Sequence, residues 1–271
     1  MDKKQLNLMF DNLLHIGNKT NYWSPRMRDY IYGSVNGIHV INLVKTSEQL
    51  ELVKKELSAL ASEGKKILFV ATKLQSRDAF VKLAEETGHY YVSEKWVPGL
   101  LTNFKTIKRR INTYLQLKRD AENNTFDQLT KKEKAGKLLE LEKLDKAFKG
   151  LKEMKRVPEV LFVFDTVYET QAVREGNSLG LKVYGVASTN GDDSVVEAII
   201  PANTNATKSS DFIGAELANV LKNIKVKAPV RPATGAKKAP VKKMEEKTAE
   251  KKETTKKPAA KKTPAKKTEE K

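Results

Sequence analysis

The sequence predicts an α/β fold: a mainly parallel sheet with helices on both faces, interrupted by a helical hairpin and followed by a disordered basic tail. Three observations carry this. Short apolar, β-branched runs alternate with amphipathic stretches, and the order helix, glycine, strand recurs at Gly64, Gly88 and Gly180. Runs that are apolar at nearly every position are strands buried on both faces, the pattern of βαβ units. Between two such units, Phe104 to Val157 switches to helical periodicity. From Lys225 to Lys271 the chain has no Leu, Ile, Phe, Tyr or Trp and repeats Lys-Lys with Pro, Ala and Thr. Such a composition cannot offset its ordering entropy.

In chain order, Met1 to Leu14 reads as an amphipathic helix rather than a signal peptide, because charged and polar residues interrupt its apolar positions. No apolar run approaches the roughly 18 residues of a membrane span, so a cytoplasmic location is the default expectation. A basic and aromatic loop, Lys19 to Gly37, follows. Ile38–Leu43 (IHVINL) reads as a buried strand. Thr46 and Gln49 have capping-box spacing and open a helix to Glu63, which Gly64 stops. Lys66–Ala71 is a strand, Leu74 to Thr87 a helix ended by Gly88, and His89–Val92 a strand. Later, Val160–Phe164 is a strand, Tyr168–Leu179 a helix, and Lys182–Ala187 and Val196–Ile200 strands. A helix over Lys208–Asn223 closes the body.

The intervening segment carries two apolar stripes at helical spacing. Phe104, Ile107, Ile111, Tyr114 and Leu117 form the first; Asn123-Asn124 breaks it. Thr130 and Glu133 restart a helix with a second capping box, and Leu138, Leu141, Leu144, Phe148 and Leu151 form the second stripe. Two stripes joined by a polar turn predict an antiparallel hairpin with arms of about 30 Å, expected to project from the sheet domain. The expected organisation is therefore a sheet domain from 1–103 and 158–224, an inserted hairpin over 104–157, and a tail over 225–271.

Charge follows the same boundaries. The net charge is +17 over 271 residues. The tail has 17 Lys+Arg against 6 Asp+Glu, the hairpin segment 16 against 8, and the rest of the chain sums to −2. A near-neutral body with two basic appendages is the footprint of a polyanion binder.

Catalytic signatures are absent. The chain has no cysteine, which excludes disulfides, zinc ribbons and thiol catalysis. It has no G-x-G-x-x-G and no G-x-x-x-x-G-K-[ST]. Its G-x-S-x-G spacing at Gly176–Gly180 ends a predicted helix, so it is no nucleophile elbow. Asp165 ends a predicted strand, where a doubly wound enzyme would bind its ligand; a single carboxylate there reads first as a turn former. Asp192 and Asp193 lie in a Ser/Asn/Gly loop and read the same way, with a hard cation as the alternative. His15, His39 and His89 show no paired ligand spacing. No catalytic residue, metal or cofactor is expected.

Basic and aromatic residues do cluster. Lys19 to Gly33 interleaves Lys19, Arg26 and Arg28 with Tyr22, Trp23, Tyr30 and Tyr32. Its rings either stack on bases or anchor the loop on the core. Lys105, Lys108 and Arg109 share one side of the first hairpin helix, with Arg110 adjacent. The imbalance is too large for a solvated helix that pairs its charges at i,i+4.

Several segments resemble the bacterial ribosomal protein family known as the second protein of the small subunit. They include HIGNKTNYWSPRMRDYIYGSVNGIHVINLVKT (His15–Thr46), KILFVATKLQ (Lys66–Gln75), YYVSEKWVPGLLTNFKTI (Tyr90–Ile107), LTKKE (Leu129–Glu133) and VPEVLFVFDTVYETQAVREGNSLGLKVYGVASTN, with the IPANTNA that follows. The resemblance covers most of Met1–Leu221. It implies a flavodoxin-like three-layer domain with an inserted coiled-coil hairpin, and a place on the small subunit touching its ribosomal RNA. It also implies help in docking neighbouring ribosomal proteins, including the large mobile RNA-binding first protein, without catalysis. The chain departs from the family pattern at Lys95-Trp96-Val97-Pro98-Gly99 (usually Arg-Trp-Leu-Gly-Gly), at Val35 (commonly Arg) and at Ser188–Ser194 (usually Asp-Thr-Asn-Cys-Asp-Pro-Asp). The last departure removes support for a metal site there.

The expectation is a ribosomal RNA-binding structural protein, not a homo-oligomer. Lys19, Arg26, Arg28, Lys73, Lys105, Lys108, Arg109 and Arg110 are expected at phosphates, and Trp23 and Trp96 as loop anchors. The alternative is a doubly wound small-molecule or nucleotide-binding enzyme using Asp165.

Overall fold

A computed structural model of the chain describes residues 3–222 and residue 224; the predicted tail lies outside them. After helix α1 (Lys3–Asp11) come strands β1 (Ile16–Lys19), β2 (Ile31–Val35) and β3 (Ile38–Ile41), with a 3-10 turn over Pro25–Tyr30 before β2. They form a separate antiparallel sheet, ordered β1-β3-β2. The stretch expected to be a loop is therefore largely structured, and the strand expected in the parallel series belongs elsewhere. The reason is local. Asn36 and Gly37 have φ of 50° and 75°, the two left-handed positions of a tight hairpin turn, and Val35 pairs with Ile38 across it.

Helix α2 (Leu43–Ser62) begins earlier than its capping-box spacing suggests. Asn42 is the cap, its side chain accepting a bond from the Val44 amide at 3.0 Å. Thr46 is instead buried, and its hydroxyl donates to the Pro201 carbonyl at 2.7 Å.

The remaining elements are β4 (Ile67–Val70), α3 (Leu74–Thr87), β5 (Tyr90–Val92), α4 (Phe104–Glu122), α5 (Lys131–Phe148), β6 (Val160–Phe164), α6 (Thr170–Ser178), β7 (Lys182–Ala187), β8 (Ala198–Pro201) and α7 (Thr207–Leu221). They alternate strand and helix except where α5 follows α4 and β8 follows β7. Helix α6 is shorter than expected at its start, because Asp165–Glu169 forms a turn. The three glycine stops hold: Gly64, Gly88 and Gly180 are all left-handed.

The five strands are parallel and ordered β5-β4-β6-β7-β8. Counted within this sheet, that is the 2-1-3-4-5 order of flavodoxin-like folds. Side chains alternate between two cores. Ile67, Phe69, Val160, Phe162, Phe164, Tyr184 and Val186 face a cluster completed by α1, α2, α3 and α7. Leu68, Val70, Leu161, Val163 and Val183 face a second cluster completed by α4, the end of α5, and α6. The three layers follow from this alternation.

The hairpin is thus less detached than expected. A chain leaving β5 at the sheet edge must cross β4 to enter β6, and α4 with α5 is that crossover. Ile107, Ile111 and Tyr114 of α4 and Phe148 of α5 are core residues, whereas Leu138 is 44% exposed. The fully buried hairpin residues of the sheet core therefore lie at the base, while Leu117 and Phe126, toward the far end, are buried outside that core. The Thr130–Glu133 capping box at the start of α5 is formed as expected.

Candidate nucleic-acid interface

Three regions hold the residues predicted to function. The first is the sheet's switch point, between the carboxyl ends of β4 and β6. Here the protein's own side chains meet. The Lys73 ammonium donates to Asp165, to Asn205 Oδ1 at 3.0 Å and to Thr204 Oγ1 at 3.4 Å. It also sits 5.6 Å from the centre of the Tyr168 ring. Asp165, at φ 71°, accepts from the amides of Val167 (3.1 Å) and Tyr168 (3.0 Å). It is a turn former and counter-ion, as a lone carboxylate at a strand end usually is. Thr72 donates to the buried Glu169, whose carboxyl is pushed above its usual range by burial, with Asp165 adding to the shift and the Thr72 bonds opposing it. Lys73 is the one predicted phosphate ligand whose ammonium the structure commits inward.

The second region is the antiparallel sheet and its 3-10 turn. Met27 is 1% exposed and packs on Ala187 and Ile199. Its neighbours Arg26 and Arg28 consequently stay at the surface. The Ser24 amide donates to the Thr189 carbonyl at 2.9 Å and the Asn18 amide to its hydroxyl at 3.0 Å, which fastens this sheet to the loop after β7. Gly17 permits that approach, since a Cβ there would lie 2.6 Å from Thr189 Cγ2. Lys19 is exposed. Arg26 Nε lies 3.3 Å from Asp192 Oδ1, an exposed pair of little energetic weight. Asp192 also caps Ser194 through that residue's amide and hydroxyl, in keeping with the turn reading. Trp23 tilts against His39 at 5.8 Å but remains 42% exposed, so it anchors its loop only in part.

The third region is the entry to α4. Val97, Pro98, Gly99 and Leu100 form a type II turn: the Leu100 amide donates to the Val97 carbonyl at 3.0 Å and Gly99 has φ 83°. Pro98, the departure from the family pattern, pre-sets this turn. Beneath it lies Glu175, buried on α6. It accepts bonds from Trp96 Nε1 (3.0 Å), the amides of Gly99 (2.8 Å), Leu101 (3.1 Å) and Thr102 (3.3 Å), and the Thr102 hydroxyl (3.2 Å). Burial would raise its carboxyl, but these bonds outweigh burial and hold it below the usual range. Trp96 is an anchor in the full sense, 6% exposed. On the helix that follows, Lys105, Lys108, Arg109 and Arg110 are all exposed while Ile107 and Ile111 between them are buried. Lys108 also reaches the Lys155 carbonyl at 3.1 Å.

Sequence reasoning missed Glu175, Glu169 and Met27. For the first two no local signal exists, because their partners lie far along the chain. For Met27, a lone apolar residue between two arginines was the available hint.

Comparison with known proteins adds a separate line. The family described as Ribosomal protein S2 matches residues 9–223. The chain is similar to the small ribosomal subunit protein uS2 of Mannheimia succiniciproducens, with 39% identity over 196 residues, covering 72% of this chain and 81% of the relative. It is similar to that of Coprothermobacter proteolyticus, with 39% identity over 208 residues, 77% and 78% of the two chains. For that of Pasteurella multocida the values are 40% over 196 residues, 72% and 82%.

Proposed function

The chain belongs to the ribosomal protein S2 family, whose members have a structural role in translation on the small ribosomal subunit, and from that premise we propose how it holds ribosomal RNA. Lys19, Arg26 and Arg28 on the antiparallel sheet, and Lys105, Lys108, Arg109 and Arg110 on α4, meet phosphates and displace counterions from them. Shape and fixed position set the register, and base-specific readout is minor. Lys73 leaves the set and instead ties β4 to β6 at the switch point. Trp96 and Glu175 hold the loop that aims α4. Docking of neighbouring small-subunit proteins, the large mobile first protein among them, belongs to the same reading.

The observation that carries this is that the exposed cations stand on immobilised backbone. Met27 pins the turn bearing Arg26 and Arg28, while Ile107, Ile111 and the Glu175-bound loop pin the helix bearing the other four. Flexible cations on an unpinned loop would lose more entropy on binding.

The test is co-sedimentation with small ribosomal subunits over a salt series. Replacing Lys108, Arg109 and Arg110 by Glu should lower the salt at which the protein is released, and Arg26→Glu with Arg28→Glu should do the same independently. Normal retention of both variants would move the RNA contact off these surfaces.

A further inference from the structure

An aromatic-rich basic loop can use its rings to anchor itself or to bind. In this protein anchoring falls to other residues. Met27 is buried and Tyr30 packs beside it, whereas Tyr22, Trp23 and Tyr32 are 69%, 42% and 81% exposed. Three large rings left in water add little to the core. Each is nevertheless held on ordered backbone. The Tyr22 amide donates to the Lys19 carbonyl at 2.8 Å, and Ser24, next to Trp23, is fastened to Thr189. One side of Trp23 is backed by His39. Tyr32 sits where the register of β2 against β3 shifts, between the Ile31–Ile41 and Gly33–Val40 pairs.

Resting on the RNA-binding reading above, we propose that the antiparallel sheet is a stacking platform for unpaired RNA nucleotides, with Tyr22, Trp23 and Tyr32 receiving base faces and Lys19, Arg26 and Arg28 receiving the phosphates between them. A paired A-form helix hides its base faces and is met through phosphates and 2′-hydroxyls, on which exposed rings would be idle. Unpaired bases of any identity present a face to stack, so the contact is tolerant of sequence. Rings carried on ordered backbone lose less freedom on binding than rings on a flexible loop.

The experiment uses the full chain at moderate salt, which screens diffuse contacts. The probes are a single-stranded oligouridylate of about ten nucleotides, within the span of known single-strand sites, and a blunt RNA duplex of similar charge. The single strand should quench the exposed Trp23 indole, and Trp96, being buried, should stay constant. Tyr22→Leu, Trp23→Leu and Tyr32→Leu should each weaken single-strand binding about tenfold, with melting and salt slope unchanged. Trp23→Phe should retain binding. Equal affinity for duplex and single strand, with the leucine variants indistinguishable from the parent, would overturn the platform while leaving RNA binding intact. Failure of both RNAs to bind, even at low salt, would sink the RNA reading and the platform with it.

Discussion

Five donors converge on Glu175, and their number decides its charge. A buried carboxylate with one partner would be driven toward protonation, but here the bonds from the Trp96 loop prevail. Glu175→Ala should therefore strand these five donors and cost about 3 kcal/mol or more. Urea unfolding should show it, with a red shift of Trp96 emission as its loop loosens. A depressed carboxyl contributes stability that is present above the ordinary carboxylate range and lost as pH falls through its folded value. His89 acts in the same direction. Burial, and then Lys66, push its imidazole down to about 4, so the folded state stays neutral where the unfolded chain takes up a proton. Between pH 6.5 and 4 this should remove on the order of 2–3 kcal/mol. Glu169 opposes both, since its raised carboxyl is relieved on acidification. Urea unfolding at stepped pH checks the sign: His89→Gln should flatten the decline over that window. An unchanged decline would assign it to other groups.

At the scale of elements, two glycines of the hairpin segment test how firmly its base joins the sheet. A Cβ on Gly150 would lie 2.2 Å from the Tyr91 carbonyl oxygen, which is backbone and cannot step aside. Gly150→Ala should cost roughly 2–3 kcal/mol. Gly136 sits in α5 with nothing within 4 Å of its would-be Cβ, so Gly136→Ala should stabilise by up to about 1 kcal/mol. Opposite shifts in urea midpoint would verify that Gly150 is packed against the sheet and Gly136 is open; equal shifts would contradict it. The same contrast explains what was legible in the sequence. Strands β4, β6 and β7, the glycine stops and the α5 capping box are written in local spacing and were read there. Strand β3 was misplaced because a short apolar run looks alike in a parallel core and an antiparallel hairpin. The Asn36-Gly37 turn was the deciding cue. Both Asn42 and Thr46 are capping residues by type, and only the contact with Pro201, across the fold, assigns Thr46 elsewhere. Among the candidate residues, the exposed cations of the antiparallel sheet and α4 could be picked out by charge alone. The inward role of Lys73 was not legible, because its counter-ion Asp165 is 92 residues away, and that of Glu175 was not, because Trp96 is 79 residues away.

For the whole molecule, the two cores and the charge divide the chain differently. Among the described residues both buried clusters end at Leu221, with Ile224 packed against the first, and the Lys-rich stretch begins at Lys225. That stretch carries 17 Lys+Arg against 6 Asp+Glu. Its removal should leave the urea midpoint unchanged, because a stretch without Leu, Ile, Phe, Tyr or Trp has little apolar area to bury. Its effect on RNA should be large and unspecific. Neutralising about 6 phosphates makes affinity fall roughly 10³-fold between 50 and 200 mM salt. A chain ending at Ile224 should retain only the part of that slope due to the cations of α4 and the antiparallel sheet. Filter binding of the full and shortened chains to one unstructured RNA across a salt series separates the two contributions. If the shortened chain keeps the full slope, the folded body supplies the counterion release. If it loses stability as well, the tail packs on the body. The expected result is a smaller slope on an unaltered fold, because diffuse attraction by the tail and fixed contacts on the body are independent terms in the same binding energy.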